Sequence, residues 1–166
     1  IGNKVNKYGV GQLQYAVENG FEIASHTMNH KKIGSAFLEA NPDYTAQTYI
    51  NEEIKPLNDL IKQEMDYDIK YLRAAEGVIT DPVLEAAIQA QMPLVRGNVD
   101  INGNTVYISD YAADTTPESI YEKVVSTAYD GKVVIMHGTS SQTAEILDKI
   151  CNTLYADGYR FVTVSE

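Results

Sequence analysis

Phe21-Glu22-Ile23-Ala24-Ser25-His26-Thr27-Met28-Asn29-His30 is the stretch from which the fold of this chain is read. Its opening residues, 21–24, form a short run that reads as a β-strand, and the run stops at Ser25-His26. Just upstream, a helical pattern over residues 12–19 ends at Gly20, as a left-handed cap would end it. Downstream, residues 45–65 carry the longest helical periodicity, with Ile50, Ile54, Leu57 and Ile61 recurring every three or four positions. Pro56 inside that pattern is expected to kink the helix or divide it in two. Residues 69–72 read as a second short strand, and residues 82–91 as a helix with Asp81 at its N-cap.

The second half repeats this rhythm. Leu94-Val95 with Val99 suggests a strand, Asn102-Gly103 a turn, and residues 105–108 an extra strand. Thr116-Pro117-Glu118 opens a helix that keeps Ile120, Val124 and Ala128 on one face. Residues 133–136 are continuously apolar, as expected of a strand buried on both sides. Ile146, Leu147, Ile150, Cys151 and Leu154 mark an amphipathic helix ended by Asp157-Gly158, and residues 161–164 read as the last strand. Short strands alternating with helices of about 10–20 residues point to parallel βαβ units and an α/β fold. A closed or nearly closed barrel and an open doubly wound sheet both fit this pattern.

The chain has 166 residues, which corresponds to one domain at roughly 150 residues each. With 13 Lys and Arg against 23 Asp and Glu, its net charge of −10 argues against nucleic acid and anionic lipid as partners. No apolar run approaches the ~18 residues of a membrane span. A single cysteine, Cys151, excludes an internal disulfide and a cysteine-built zinc site, and its place on an apolar helix face suggests an inert core thiol. No phosphate loop, dinucleotide fingerprint or nucleophile elbow occurs.

In parallel α/β architectures functional groups gather at the C-terminal ends of strands, and three features fall there. His26 and His30 lie on one side of a helical turn and can reach one metal ion together; two surface histidines at a loop start are the alternative. His137 ends the run 133–136 and can serve as general acid or base, or can cap the sheet through a hydrogen bond. Arg73 follows Leu72 and could orient a carboxylate bidentately, or form a plain surface ion pair. Together these readings reinforce one another, because all three histidines of the chain stand at or just after expected strand ends.

The order of these features resembles the polysaccharide deacetylase (NodB-homology) family. Residues 22–30 resemble its H-[ST]-x-x-H motif, Leu72-Arg73-Ala74-Ala75-Glu76-Gly77 its R-P-P-[YF]-G motif, and Ile135-Met136-His137 its L-x-H motif. Gly158-Tyr159-Arg160-Phe161-Val162-Thr163-Val164 resembles the closing strand. The resemblance spans nearly the whole chain. It implies a distorted, incomplete (β/α) barrel over residues 1–166, as a single domain that removes acetyl groups from an N- or O-acetylated polysaccharide or oligosaccharide. It also implies a divalent metal, usually zinc, held by His26 and His30, with His137 as general acid and Arg73 orienting the catalytic base. The backbone N–H near Glu76 would help bind substrate at the oxyanion. Secretion or cell-surface attachment is the implied location.

The sequence also departs from the family pattern. Nothing matches the T-F-D-D-G motif, which supplies the base and an aspartate ligand, so the first strand is expected upstream of Ile1. Ala74, Ala75 and Glu76 replace two prolines and an aromatic. The D-x-x-D-W motif aligns with residues 100–104, where Gly103 and Asn104 replace the second aspartate and the tryptophan and leave His137 without its tuning carboxylate. Two expectations follow: weak metal binding and little turnover by these residues alone, or a degenerate homologue that serves as a carbohydrate-binding module.

Overall fold

Three extended segments meet at Leu72. In the computed structural model, which describes residues 1–5 and 7–166 (for Lys7 and Tyr8 the backbone alone), Leu72 forms parallel bridges to Ser25 on one side and Leu94 on the other. The bonds are Ser25 N–H to Tyr71 O at 2.9 Å and Arg73 N–H to Ser25 O at 2.8 Å. On the other side run Leu72 N–H to Pro93 O at 3.0 Å and Val95 N–H to Leu72 O at 2.8 Å. The expected parallel order is therefore present, but at the C-terminal ends of the segments. One cause is local: Ile23 N–H is taken by the Tyr67 hydroxyl at 3.1 Å, so a side chain stands where a neighbouring strand would pair.

The chain gathers into two compact units, residues 1–95 with 163–165, and residues 96–162 with 166. In the first, helices α1 (Lys7–Glu18), α2 (Ser35–Ala40), α3 (Ala46–Tyr49), α4 (Lys55–Met65) and α5 (Asp81–Gln89) surround the bridged segments. Gly20 caps the end of α1 with φ +84°, the left-handed conformation its lack of a Cβ makes cheap. The long pattern over residues 45–65 divides where Pro56 demands it. A π-helical turn, Ile50–Ile54, separates α3 from α4, and Pro56 sits in the first turn of α4. Thr80, rather than Asp81, is the N-cap of α5. Ile33, Tyr49, Ile54, Leu72, Val83 and Ala86 form the buried core of this unit.

In the second unit α6 (Pro117–Ser126) packs on α7 (Ser141–Ala156) through Ile120, Val124, Ile146, Ile150 and Leu154. A reciprocal box between Thr116 and Ser119 caps α6, and Ser140 caps α7. The Asn102-Gly103 turn is present, with Val99 and Thr105 bridged antiparallel across it and Gly103 at φ +83°. Residues 133–136 are half-buried, not buried on both sides as their composition suggested. Among the described residues, Asn98 pairs with two of them. Asn98 N–H donates to Val133 O at 2.8 Å, while the Asn98 amide donates to Ile135 O at 3.0 Å and accepts from Ile135 N–H at 2.8 Å. Among the described residues β pairing is confined to isolated bridges. Among the described residues no helix is long and apolar enough to cross a membrane.

Candidate functional site

The segment 26–30 is a loop, not the helical turn its spacing suggested, because Thr27 and His30 both take left-handed backbone angles, φ 65° and 57°. Such angles are costly for a β-branched residue, and the surroundings must over-determine them. They do so on two sides. Gly2 N–H donates to Thr27 O at 2.9 Å and Asn3 N–H to Met28 O at 2.8 Å. A Cβ on Gly2 would overlap Met28 Sδ and lie 3.1 Å from Met28 Cα, so a side chain there would have to displace Met28. On the opposite side Met28 N–H reaches Glu53 O at 2.8 Å, and within the loop His30 N–H reaches Thr27 Oγ1 at 3.0 Å.

This winding sets the His26 and His30 rings edge-on, 4.7 Å apart between centroids and 84° between planes. His26 Nδ1–H donates to Arg73 O at 3.0 Å, which fixes the tautomer and leaves the Nε2 lone pair for a ligand. Burial lowers the His26 pKa from its ordinary value against the opposing pull of that carbonyl bond. A neutral imidazole with its second nitrogen tied to a carbonyl suits a borderline cation such as zinc. The two imidazoles are the nitrogen donors that this loop could offer a metal. Among the described residues no group of three or more His, Cys, Asp or Glu converges on one point.

Arg73 joins this site through its main chain as well as its side chain. Its carbonyl orients His26, while its half-buried guanidinium points toward Val95 O, 3.5 Å away, and the loop at Gly77. Glu76 follows in a left-handed conformation, φ 53°, and pairs with Lys32 at 2.6 Å. The Lys32 hydrogen bond and charge, with a smaller contribution from His30, hold the Glu76 carboxyl below its ordinary pKa.

His137 belongs to the second unit, at the end of the run 133–136, and its partner is Asp110. Asp110 Oδ1 accepts from His137 Nδ1 at 2.8 Å, and Oδ2 accepts from His137 N–H at 2.6 Å and Thr143 Oγ1 at 2.7 Å. Ser140 Oγ donates to the Asp110 carbonyl at 2.7 Å. Burial pushes the Asp110 pKa up, but the bonds from His137 and Thr143 outweigh it and hold the carboxyl below its ordinary value. Tyr111 lies against the His137 ring, 4.6 Å between centroids.

This carboxylate corrects the sequence alignment at residues 100–104. Asp100 closes its own turn, accepting from Asn102 N–H at 2.9 Å and Asn104 N–H at 2.8 Å. The carboxylate partner that the alignment left His137 without is Asp110. Its sequence signal is Ile108-Ser109-Asp110-Tyr111, an apolar residue followed by an aspartate next to an aromatic. Glu53, the second residue that sequence reasoning missed, lies within a helical pattern and gives no such signal. Cys151 is partly buried, and burial pushes its thiol pKa up, as expected of an unreactive cysteine.

The imidazole pair and the Arg73 loop fall within residues 1–95, over which the chain matches the profile of the family described as polysaccharide deacetylase. The chain belongs to the polysaccharide deacetylase family. It is 31% identical over 164 residues to a peptidoglycan-N-acetylglucosamine deacetylase of Bacillus cereus, covering 97% of this chain and 68% of that protein. It is 26% identical over 171 residues to a bifunctional xylanase/deacetylase of Pseudobutyrivibrio xylanivorans, covering 100% of this chain but 25% of that protein. Among solved structures, the Xyl-CE4 domain of a multidomain xylanase from the hindgut metagenome of Trinervitermes trinervoides superposes with a TM-score of 0.81 at 25% identity. That match covers 99% of this chain and 72% of the other. This deacetylase-family chain thus shares the architecture of CE4 domains.

Proposed function

We propose that the protein carrying this chain is a metal-dependent hydrolase that removes acetyl groups from an N- or O-acetylated polysaccharide, outside the cell or at its surface. The observation that carries the reading is the edge-on His26/His30 pair with the His26 tautomer fixed by Arg73 O. Membership of the deacetylase family and the names of the relatives, which act on peptidoglycan and xylan, support the substrate class. Residues 1–166 are read as one deacetylase-like domain, the distorted (β/α) barrel of that family.

His26 and His30 would hold the cation, with zinc the best match to two imidazoles. When bound, it would polarise the acetyl carbonyl and lower the pKa of a water. The chain's own residues supply the rest. His137, oriented by Asp110 through Nδ1, presents Nε2 to donate a proton to the departing amine or alcohol. Arg73 orients the catalytic base, and the backbone N–H at Glu76 stabilises the oxyanion. Two nitrogen ligands are fewer than the three protein ligands usual for catalytic zinc, so residues 1–166 by themselves bind the cation weakly and turn over little.

The test is acetate release from acetylated xylan and N-acetylated glycan oligomers by the longest native polypeptide containing residues 1–166. Release is expected to stop with a chelator, to return with zinc or cobalt, and to fall about 10²–10⁴-fold in His137→Ala. Release indifferent to chelator and to His26→Ala overturns the reading. A second reading, a catalytically degenerate carbohydrate-binding module, draws on the two-ligand set and on Glu76 standing in the aromatic position of its motif. It predicts glycan binding unaffected by chelator and no acetate.

A further inference from the structure

The least accessible acidic side chain near the imidazole pair is Glu53, which has no exposed surface, on the π-helical turn Ile50–Ile54. Its oxygens accept two bonds from a single residue of the histidine loop: Asn29 N–H to Oε2 at 2.9 Å and Asn29 Nδ2 to Oε1 at 3.1 Å. Burying a carboxyl is expensive, and packing alone would be better served by an apolar side chain of similar volume. What the carboxyl adds here is direction. Asn29 is anchored through main chain and side chain at once, and it immediately precedes His30.

Pro56 completes the anchor. It brings no N–H to the preceding turn, where an α-helix would have satisfied the Glu52 carbonyl. The loop takes up that carbonyl: Asn29 Nδ2 also donates to Glu52 O at 3.2 Å. Its neighbour Glu53 O accepts Met28 N–H at 2.8 Å. The proline-induced irregularity therefore turns two helix carbonyls and one buried carboxyl toward a single loop. Insertions of this π type occur often at functional sites because they re-aim a helix face without ending the helix.

We propose that Glu53 is a positioning residue for the imidazole pair, clamping Asn29 so that His26 and His30 are held in one ligand geometry before any cation arrives. Its link to cation binding rests on the metal reading above; the clamp itself does not.

The test uses the full chain of 166 residues and two readouts. In the metal-free protein, ring ¹⁵N NMR is expected to show His26 as the Nδ1–H tautomer. Glu53→Ala should mix the tautomers and speed amide exchange at Asn29 and His30 at least tenfold, on the scale of losing a buried anchor. Glu53→Gln, which keeps a carbonyl acceptor, should recover most of the wild-type signal. In the second readout, zinc affinity measured against a competing chelator dye should fall about 10–100-fold in Glu53→Ala. A core variant, Ile61→Val, serves as control: it should lower the unfolding midpoint and leave the ring signal unchanged.

If Glu53→Ala fails to fold, Asn29→Ala, at an exposed residue, removes the Nδ2 bonds to Glu53 Oε1 and Glu52 O, keeps the main-chain bond to Oε2, and should mix the tautomers to a smaller extent. A wild-type His26 ring signal and wild-type exchange in folded Glu53→Ala, or in Asn29→Ala, overturns the proposal. Wild-type protein that binds no zinc, while Glu53→Ala still mixes the tautomers, removes the metal reading and leaves the clamp standing.

Discussion

The two histidine environments solve the same orientation problem with different acceptors. In the first unit His26 gives its Nδ1–H to a neutral carbonyl, Arg73 O. In the second His137 gives its Nδ1–H to the Asp110 carboxylate. A carbonyl fixes the tautomer without adding a charge beside the ring. A carboxylate fixes the tautomer as well, and it places a negative charge beside the ring. The anchoring is also distributed differently. The 26–30 loop is held by many modest bonds from Gly2, Asn3, Glu53 and Thr27, whereas one aspartate takes three donors around His137.

That contrast predicts unequal sensitivity to single substitutions. Asp110→Ala should have the largest effect, destabilising the protein by about 3 kcal/mol in urea unfolding, since it removes a buried carboxylate that holds three donors at once. The same carboxyl sets an acid limb. Its folded pKa lies below the unfolded value of about 3.9, so its contribution is complete above that value and is lost as pH falls through the lower, folded one. In Asp110→Asn that limb of the stability–pH curve should flatten; an unchanged limb would break the comparison. Thr27→Val removes one acceptor of the shared loop anchorage, the His30 N–H bond, and should cost about 1 kcal/mol. It should perturb the ring signals of His26 and His30 and leave those of His137 as they are. Lys32→Ala, at an exposed pair with Glu76, should leave the unfolding midpoint where it was, and a clear shift would show that the Glu76 loop is held more tightly than its exposure suggests.

Sequence and structure agree most where the determining interactions are local. The helix over residues 141–156, the capping box at Thr116, the turn at Asn102-Gly103 and the break before Pro56 all follow from residues within a few positions of one another. Strands were less legible. The run 133–136 has strand composition, yet its edge is filled by the Asn98 side chain. Composition records that a segment is apolar and extended; it does not record which neighbour supplies the other half of its hydrogen bonds.

By itself the sequence determined the family, the order of helices and extended segments, and the three histidines with Arg73 as the chemical candidates. Motif spacing and 3.6-residue periodicity carry that information directly along the chain. Only the tertiary structure decided that Asp110 serves His137 and that Glu53 grips Asn29, across 27 and 24 positions. A polar pair formed between distant segments leaves no periodic trace, because each partner looks in sequence like any other surface acid or amide until folding buries it.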